Sequence, residues 1–286
     1  MTTLASVPPI TAAAPAPAAE PPARFGDLLA SEWIKTRSLR STPWTLAFVM
    51  LFVIGSSAAA SLAEYYNIGK ISPDARTDQG FLVFDAYSPA GYMTLMLVAG
   101  SIGALAVVSE YGSGLIRTTT VAVPARGSVV LAKAAVVAAV WTVVGTVISI
   151  GSFTVSQAIL NGRHAGVSFS QHGVLRAVVA SALLAPVCAV IGVGLGVLIR
   201  HSAATMTTTA FTLLMLQPMF SDSKRWSADV NHMMVVTAWK RLLEYWEPGP
   251  DRLGYTATVP GSWIVLALWP FVAIVLALVV VRRRDV

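Results

Sequence analysis

In 286 residues this chain holds 20 Lys and Arg, 14 Asp and Glu and 55% hydrophobic residues, and only 12% of it is charged. That balance excludes a large soluble domain beside the apolar part. The net charge of +6 comes without the interleaved aromatic and basic residues of a nucleic-acid face, so it reads as attraction to anionic lipid and not to nucleic acid.

Residues 1–23, which include APAPAAEPPA, are too rich in Ala and Pro to build a helix or a core, and a disordered tail is expected. The first basic residue is Arg24, so the basic start of a secretory signal is missing and no cleavage is expected. Residues 24–42 place Phe25, Leu28, Leu29 and Trp33 on one helical face, with Lys35, Arg37 and Arg40 towards the end. This is the pattern of a helix lying in the membrane interface, and Pro43 is expected to separate it from the first span.

The remainder, 24–286, reads as one membrane domain. Six windows free of Asp, Glu, Lys and Arg follow: 41–63, 86–109, 134–162, 177–199, 201–221 and 253–281, of 23, 24, 29, 23, 21 and 29 residues. Each holds the roughly 20 apolar residues that cross a hydrocarbon core. One Arg, Lys or Asp at a span centre costs about 2.5–3.5 kcal/mol, which is why the charges gather between the windows. The runs lack the in-out alternation of barrel strands, so the predicted fold is all-α with six spans, at about 44–63, 87–109, 134–160, 177–199, 202–221 and 260–281. The single cysteine, Cys188, excludes a disulfide within the chain and is expected to pack as a small apolar residue.

Within the spans the informative residues are small or kinking ones. Gly192 with Gly196, and Gly145 with Ser149, are spaced to let neighbouring helices approach. Pro186, Pro218 and Pro270 are expected to kink or break the last three windows. Thr205, Thr208, Thr209 and Thr212 are candidates to line a pathway, against the local alternative that they bond their own backbone. Residues 222–259 form a segment crowded with aromatic side chains, among them Trp226, Trp239 and Tyr255, and one or two short helices are expected to rest on the outer interface there.

Six spans put both termini on one side. Taking that side as the cytosol places 11 basic residues inside and 9 outside; the inner ones crowd the span ends, and Arg282, Arg283 and Arg284 form the clearest anchor. The expected topology is N-in, C-in. Signatures of catalysis are absent: there is no HExxH, no GxSxG and no Gly-rich phosphate loop, and His164, His172, His201 and His232 are scattered. No metal site is expected. The uncharged span centres argue against an ion-coupled carrier. A lipid-modifying enzyme would have to work with His232, Glu244 and Glu247.

The inner segment between the second and third windows, SEYGSGLIRTTTVAVPARGSVVLAKA, is more patterned than a link requires. Glu110 ends a span, Gly112 and Gly114 break the helix, a short interfacial helix can follow, and Pro124 stops it before Lys133 opens the next span. Arg117, Arg126 and Lys133 are expected to face the cytosol. The run E-Y-x-x-G-x-I-R-T-T, then P-x-R and L-A-K-A, resembles the actinobacterial type 2 ATP-binding-cassette exporter permeases, as do LLASEWIKTRSLRSTPWTL and the ending VVVRRRDV. The resemblance covers nearly everything after residue 23. It implies a multi-pass subunit of the bacterial plasma membrane, a homodimer whose inner segment docks on a separate ATPase. ATP and Mg would be bound by that ATPase and no cofactor by this chain. The positions matching the family pattern are Glu110, Tyr111, Gly114, Ile116, Arg117, Thr118, Thr119, Pro124 and Arg126. On this reading Leu115 and Ile116 insert into the ATPase, while Glu110 and Arg117 fix the protrusion. Cargo is not readable; a small, uncharged lining suits an amphiphile, and drug efflux or immunity rests on family habit alone.

Overall fold

A computed structural model describes residues 24–38, 40–70, 85–114, 126–244 and 255–283. Its long elements are α-helices: α1 (Phe25–Ser38), α2 (Ser41–Ile68), α3 (Pro89–Gly112), α4 (Arg126–Leu160), α5 (Val174–Ile199) and α9 (Val259–Arg283). Between α5 and α9 lie the shorter α6 (Ser202–Ala210), α7 (Arg225–His232) and α8 (Val235–Leu243). Five helices, α2, α3, α4, α5 and α9, are long and apolar enough to cross a membrane.

The centre of the bundle is α5, which packs against α3, α4 and α9. Of its most apolar 18-residue window 72% is buried, against 22% for α2 and for α9, which therefore stand at the outside. Their outward faces carry Phe48 and Leu51 on α2 and Ile264, Leu268 and Phe271 on α9, all exposed. A continuous apolar surface on this scale needs lipid or another protein against it.

Close approach of backbones makes the centre possible. A Cβ on Gly192 would lie 2.0 Å from the Gly100 carbonyl oxygen of α3, and one on Gly103 would lie 2.0 Å from the Ala189 oxygen of α5. Gly196 faces Ala104 and Val107 less tightly, at 3.0 Å. The seam between α4 and α5 explains a proline. Pro186 has no N–H for the Ala182 carbonyl one turn back, and that oxygen faces Gly145, where a Cβ would come within 2.3 Å. One helix's freed carbonyl is met by another's missing side chain. Pro186 and Pro270 both sit inside uninterrupted helices, so the break expected at those positions does not occur.

Three expectations are corrected. The window expected to span at 202–221 is not one regular helix: α6 gives way to a π turn over Phe211–Met215, in which Leu216 donates to the Phe211 oxygen, and then to a 3-10 turn over Gln217–Met219. Pro218 cannot donate to Leu214, and an apolar composition does not reveal that loss of hydrogen-bonding register. The first span starts earlier than expected, because Ser41 and Thr42 belong to α2 and Pro43 lies in its first turn, where a missing N–H leaves nothing unpaired. The short helices at 222–259 do not both rest on an interface. In α8, Val235, Val236, Ala238, Trp239, Leu242 and Leu243 are buried, although Trp226 on α7 is exposed.

Helix α8 is held in place by specific bonds. The fully buried Trp239 stacks on Tyr92 of α3 with centroids 5.1 Å apart and donates its indole N–H to Ser181 Oγ of α5 at 3.1 Å. Arg176 of α5 donates Nε to the Leu242 carbonyl at 3.2 Å and an Nη to the Glu244 carbonyl, which neutralises the C-terminal end of α8.

Candidate functional site

Leu28 and Leu29 seat α1 on Val129 and Ala132 of α4. One turn on from Leu28, Glu32 faces the same way, and Lys133 follows Ala132; the pair meets with Lys133 Nζ 2.5 Å from Glu32 Oε2. Lys133 also lies 2.8 Å from Glu110 Oε1, and Lys35 lies 3.0 Å from the same oxygen and 2.7 Å from Glu32 Oε1. Two lysines and two glutamates thus alternate around one ring at the junction of α1, α3 and α4. The side chains of Glu32, Glu110 and Lys133 are 5%, 8% and 7% exposed, so three of the four charges are out of water, while Lys35 at 36% closes the ring at its rim.

The ring answers a local problem. Glu110 lies in the last turn of α3, where the carbonyl end of the helix already carries partial negative charge and a carboxylate is unfavourable. Two ammonium groups offset both. Burial works against the charge on Lys35, but its hydrogen bonds to Glu32 and Glu110 outweigh this and hold its pKa above the ordinary lysine value. Desolvating four charges cancels most of the Coulomb gain, so the ring adds little net stability; its effect is on specificity, since no other seating of α1 pairs the buried charges. A solvent-open pocket of about 410 Å³ lies beside it, lined also by Thr36, Ser109 and Val137.

The apolar face expected of the N-terminal helix is divided accordingly. Leu28 and Leu29 turn inwards with the charges, whereas Phe25 and Trp33 are exposed together with Ile34. Lys133 does not face the cytosol as expected but is buried in the ring, because a partner from each of two other helices is there to receive it. The Glu110 carboxylate is likewise directed to Lys35 and Lys133.

Of the other residues matching the permease pattern, Tyr111 is half-buried under the Arg200 guanidinium, 5.1 Å from its ring centroid. Gly114 has φ of 71°, a left-handed conformation that suits glycine and ends the helical turn after α3. Arg126 opens α4. Leu115, Ile116, Arg117, Thr118, Thr119 and Pro124 lie outside the described residues. Ser149 is fully buried and donates to the Val178 carbonyl of α5 at 2.8 Å.

The threonines divide by face. Thr205 and Thr209 are fully buried and donate to the His201 and Thr205 carbonyls, both at 2.8 Å, while Thr208 and Thr212 are half-buried. The open face of this stretch carries Met206, Phe211, Met215 and Met219 instead. Among the described residues no group of three or more His, Cys, Asp or Glu side chains is arranged to hold a metal. No protein-family model matches the chain, and no curated protein matches it.

Proposed function

We propose that this chain is the membrane-spanning subunit of an ATP-binding-cassette exporter in a bacterial plasma membrane. It crosses six times with both termini in the cytosol, the broken helix over 202–219 making the fifth crossing. It works as a homodimer and draws its energy from a separate ATPase that docks on the segment between α3 and α4.

The observation that carries this reading is the position of the patterned segment relative to the charge ring. Residues 110–126 match the permease pattern, and the Glu110–Lys133 pair ties together the two helices that flank the segment. Glu32 and Lys35 add α1 to the same body. A push on the segment therefore reaches three helices as one rigid unit, which is what a hinge or shear transition driven from outside requires. The family resemblance supplies the partner, and the missing phosphate loop is consistent with an engine on another polypeptide. The cargo that fits an uncharged passage lined by small, soft side chains is an amphiphile.

The test is co-purification of the full chain with the ATPase encoded beside it. Ile116→Asp should abolish capture while leaving membrane insertion intact. Full retention of the ATPase by that variant, or turnover of a substrate by the isolated chain, would remove the proposal.

A further inference from the structure

At the end of the bundle that carries the charge ring, α5 terminates on Arg200, whose φ of 59° is a conformation that residues with a Cβ seldom adopt. Its Nε donates to the Val197 carbonyl at 3.4 Å, its plane lies over Tyr111, and its Nη2 is buried with no acceptor. A buried guanidinium N–H left open is costly and calls for an oxygen. More positive charge gathers around it. Arg126, the first residue of the 35-residue α4, lies within electrostatic range of Tyr111, and the N-terminus of that helix adds its own partial positive charge. A Cβ on Gly127 would lie 3.5 Å from Leu278, which brings the start of α4 against the last turns of α9, where Arg282 and Arg283 are exposed. The nearest carboxylate, Glu110, is already held by two lysines.

We propose that this corner binds the phosphate of an anionic lipid headgroup. A guanidinium presents a planar fork that fits phosphate oxygens, and basic pockets between spans at this depth are where such headgroups lie. What favours lipid over free phosphate is the adjoining surface: Leu131 on α4 and Leu276 and Val279 on α9 are exposed apolar side chains on the same helices, placed to take acyl chains. The site needs no ATPase partner, so its failure and that of the transport reading are separate.

The test is thermal unfolding of the detergent-purified full chain with phosphatidylglycerol, phosphatidylcholine or inorganic phosphate. The informative variant is Arg200→Gly, because glycine accepts the positive φ and the backbone is not penalised. Phosphatidylglycerol should raise the unfolding temperature of the natural chain, and Arg200→Gly should lose most of that shift. Phosphatidylcholine and inorganic phosphate should give little. Should Arg200→Gly fail to fold, Arg282→Gln combined with Arg283→Gln alters only exposed side chains and should reduce the same shift. An undiminished shift in the variant that is read overturns the site. Equal shifts from the two lipids do so too, and a full shift from inorganic phosphate overturns the assignment to lipid.

Discussion

Lys133 and Glu110 meet at 2.8 Å across the segment that leaves α3 and returns as α4, and both are buried. Removing one member of such a network leaves a carboxylate without its counter-charge in a place water does not reach. Lys133→Met should therefore destabilise the protein by about 3–5 kcal/mol. Adding Glu110→Gln leaves Glu32 and Lys35 as a neutral pair, and the double variant should recover much of the loss. Thermal unfolding of the two variants checks this, and a double variant less stable than Lys133→Met would show that the charges do not act as one ring.

The glycine seam predicts a contrast between two substitutions of the same kind. A Cβ on Gly192 meets a backbone carbonyl of α3, which cannot rotate away, whereas one on Gly55 meets nothing within 4 Å. Gly192→Ala should force α3 and α5 apart and cost about 1–3 kcal/mol. Gly55→Ala should gain about 0.5–1 kcal/mol from helix propensity alone. Unfolding temperatures of the two proteins, measured in one detergent, decide whether contact or propensity dominates.

What could be read in advance follows from the range of the physical signal. Lipid solubility is a property of composition, so charge-free windows mark α2, α3, α4, α5 and α9 to within a turn or two at most ends, and α4 begins two turns early because Arg126 and Lys133 need not lie in lipid. Hydrogen-bond register is not a property of composition, and for that reason the window at 202–221 reads as one span although the backbone breaks at its π turn. Glu32 and Lys133 are 101 positions apart, and nothing local marks them as partners. Trp239 misleads for a different reason: an indole near a span end usually sits at the headgroups, but one that finds Ser181 for its N–H can be buried whole.

Asp85 gives the protein a pH dependence. Burial, and to a lesser degree the neighbouring Glu64, raise its pKa from the ordinary aspartate value of 3.8 to about 7, and its Oδ2 is buried without a hydrogen-bond partner. The folded state therefore binds a proton that the unfolded chain has already released between these two values. The stabilisation is complete below pH 3.8 and is lost as pH rises through about 7. Asp85→Asn should flatten this slope and leave the protein more stable than its parent at pH 8, a difference that unfolding temperatures recorded from pH 5 to pH 8 will reveal. A parent with no loss of stability over that range would mean that Asp85 is solvated.

The open face over 202–219 carries the last prediction. Irregular backbone at membrane depth is tolerated against protein or a watery cavity but not against lipid tails, and the face that contains the π turn exposes Met206, Phe211, Met215 and Met219. Those side chains should therefore line a passage, and the buried Thr205 and Thr209 should not. Because Cys188 is the one cysteine and is fully buried, single cysteines can be introduced with Cys188→Ala as background. Met215→Cys should react with a membrane-impermeant maleimide, and Thr209→Cys should resist it by an order of magnitude or more, as expected for a thiol sealed in packed protein. If Met215→Cys reacts only with a lipid-soluble reagent, the face is turned to the bilayer, and the passage must be sought on another side of α5.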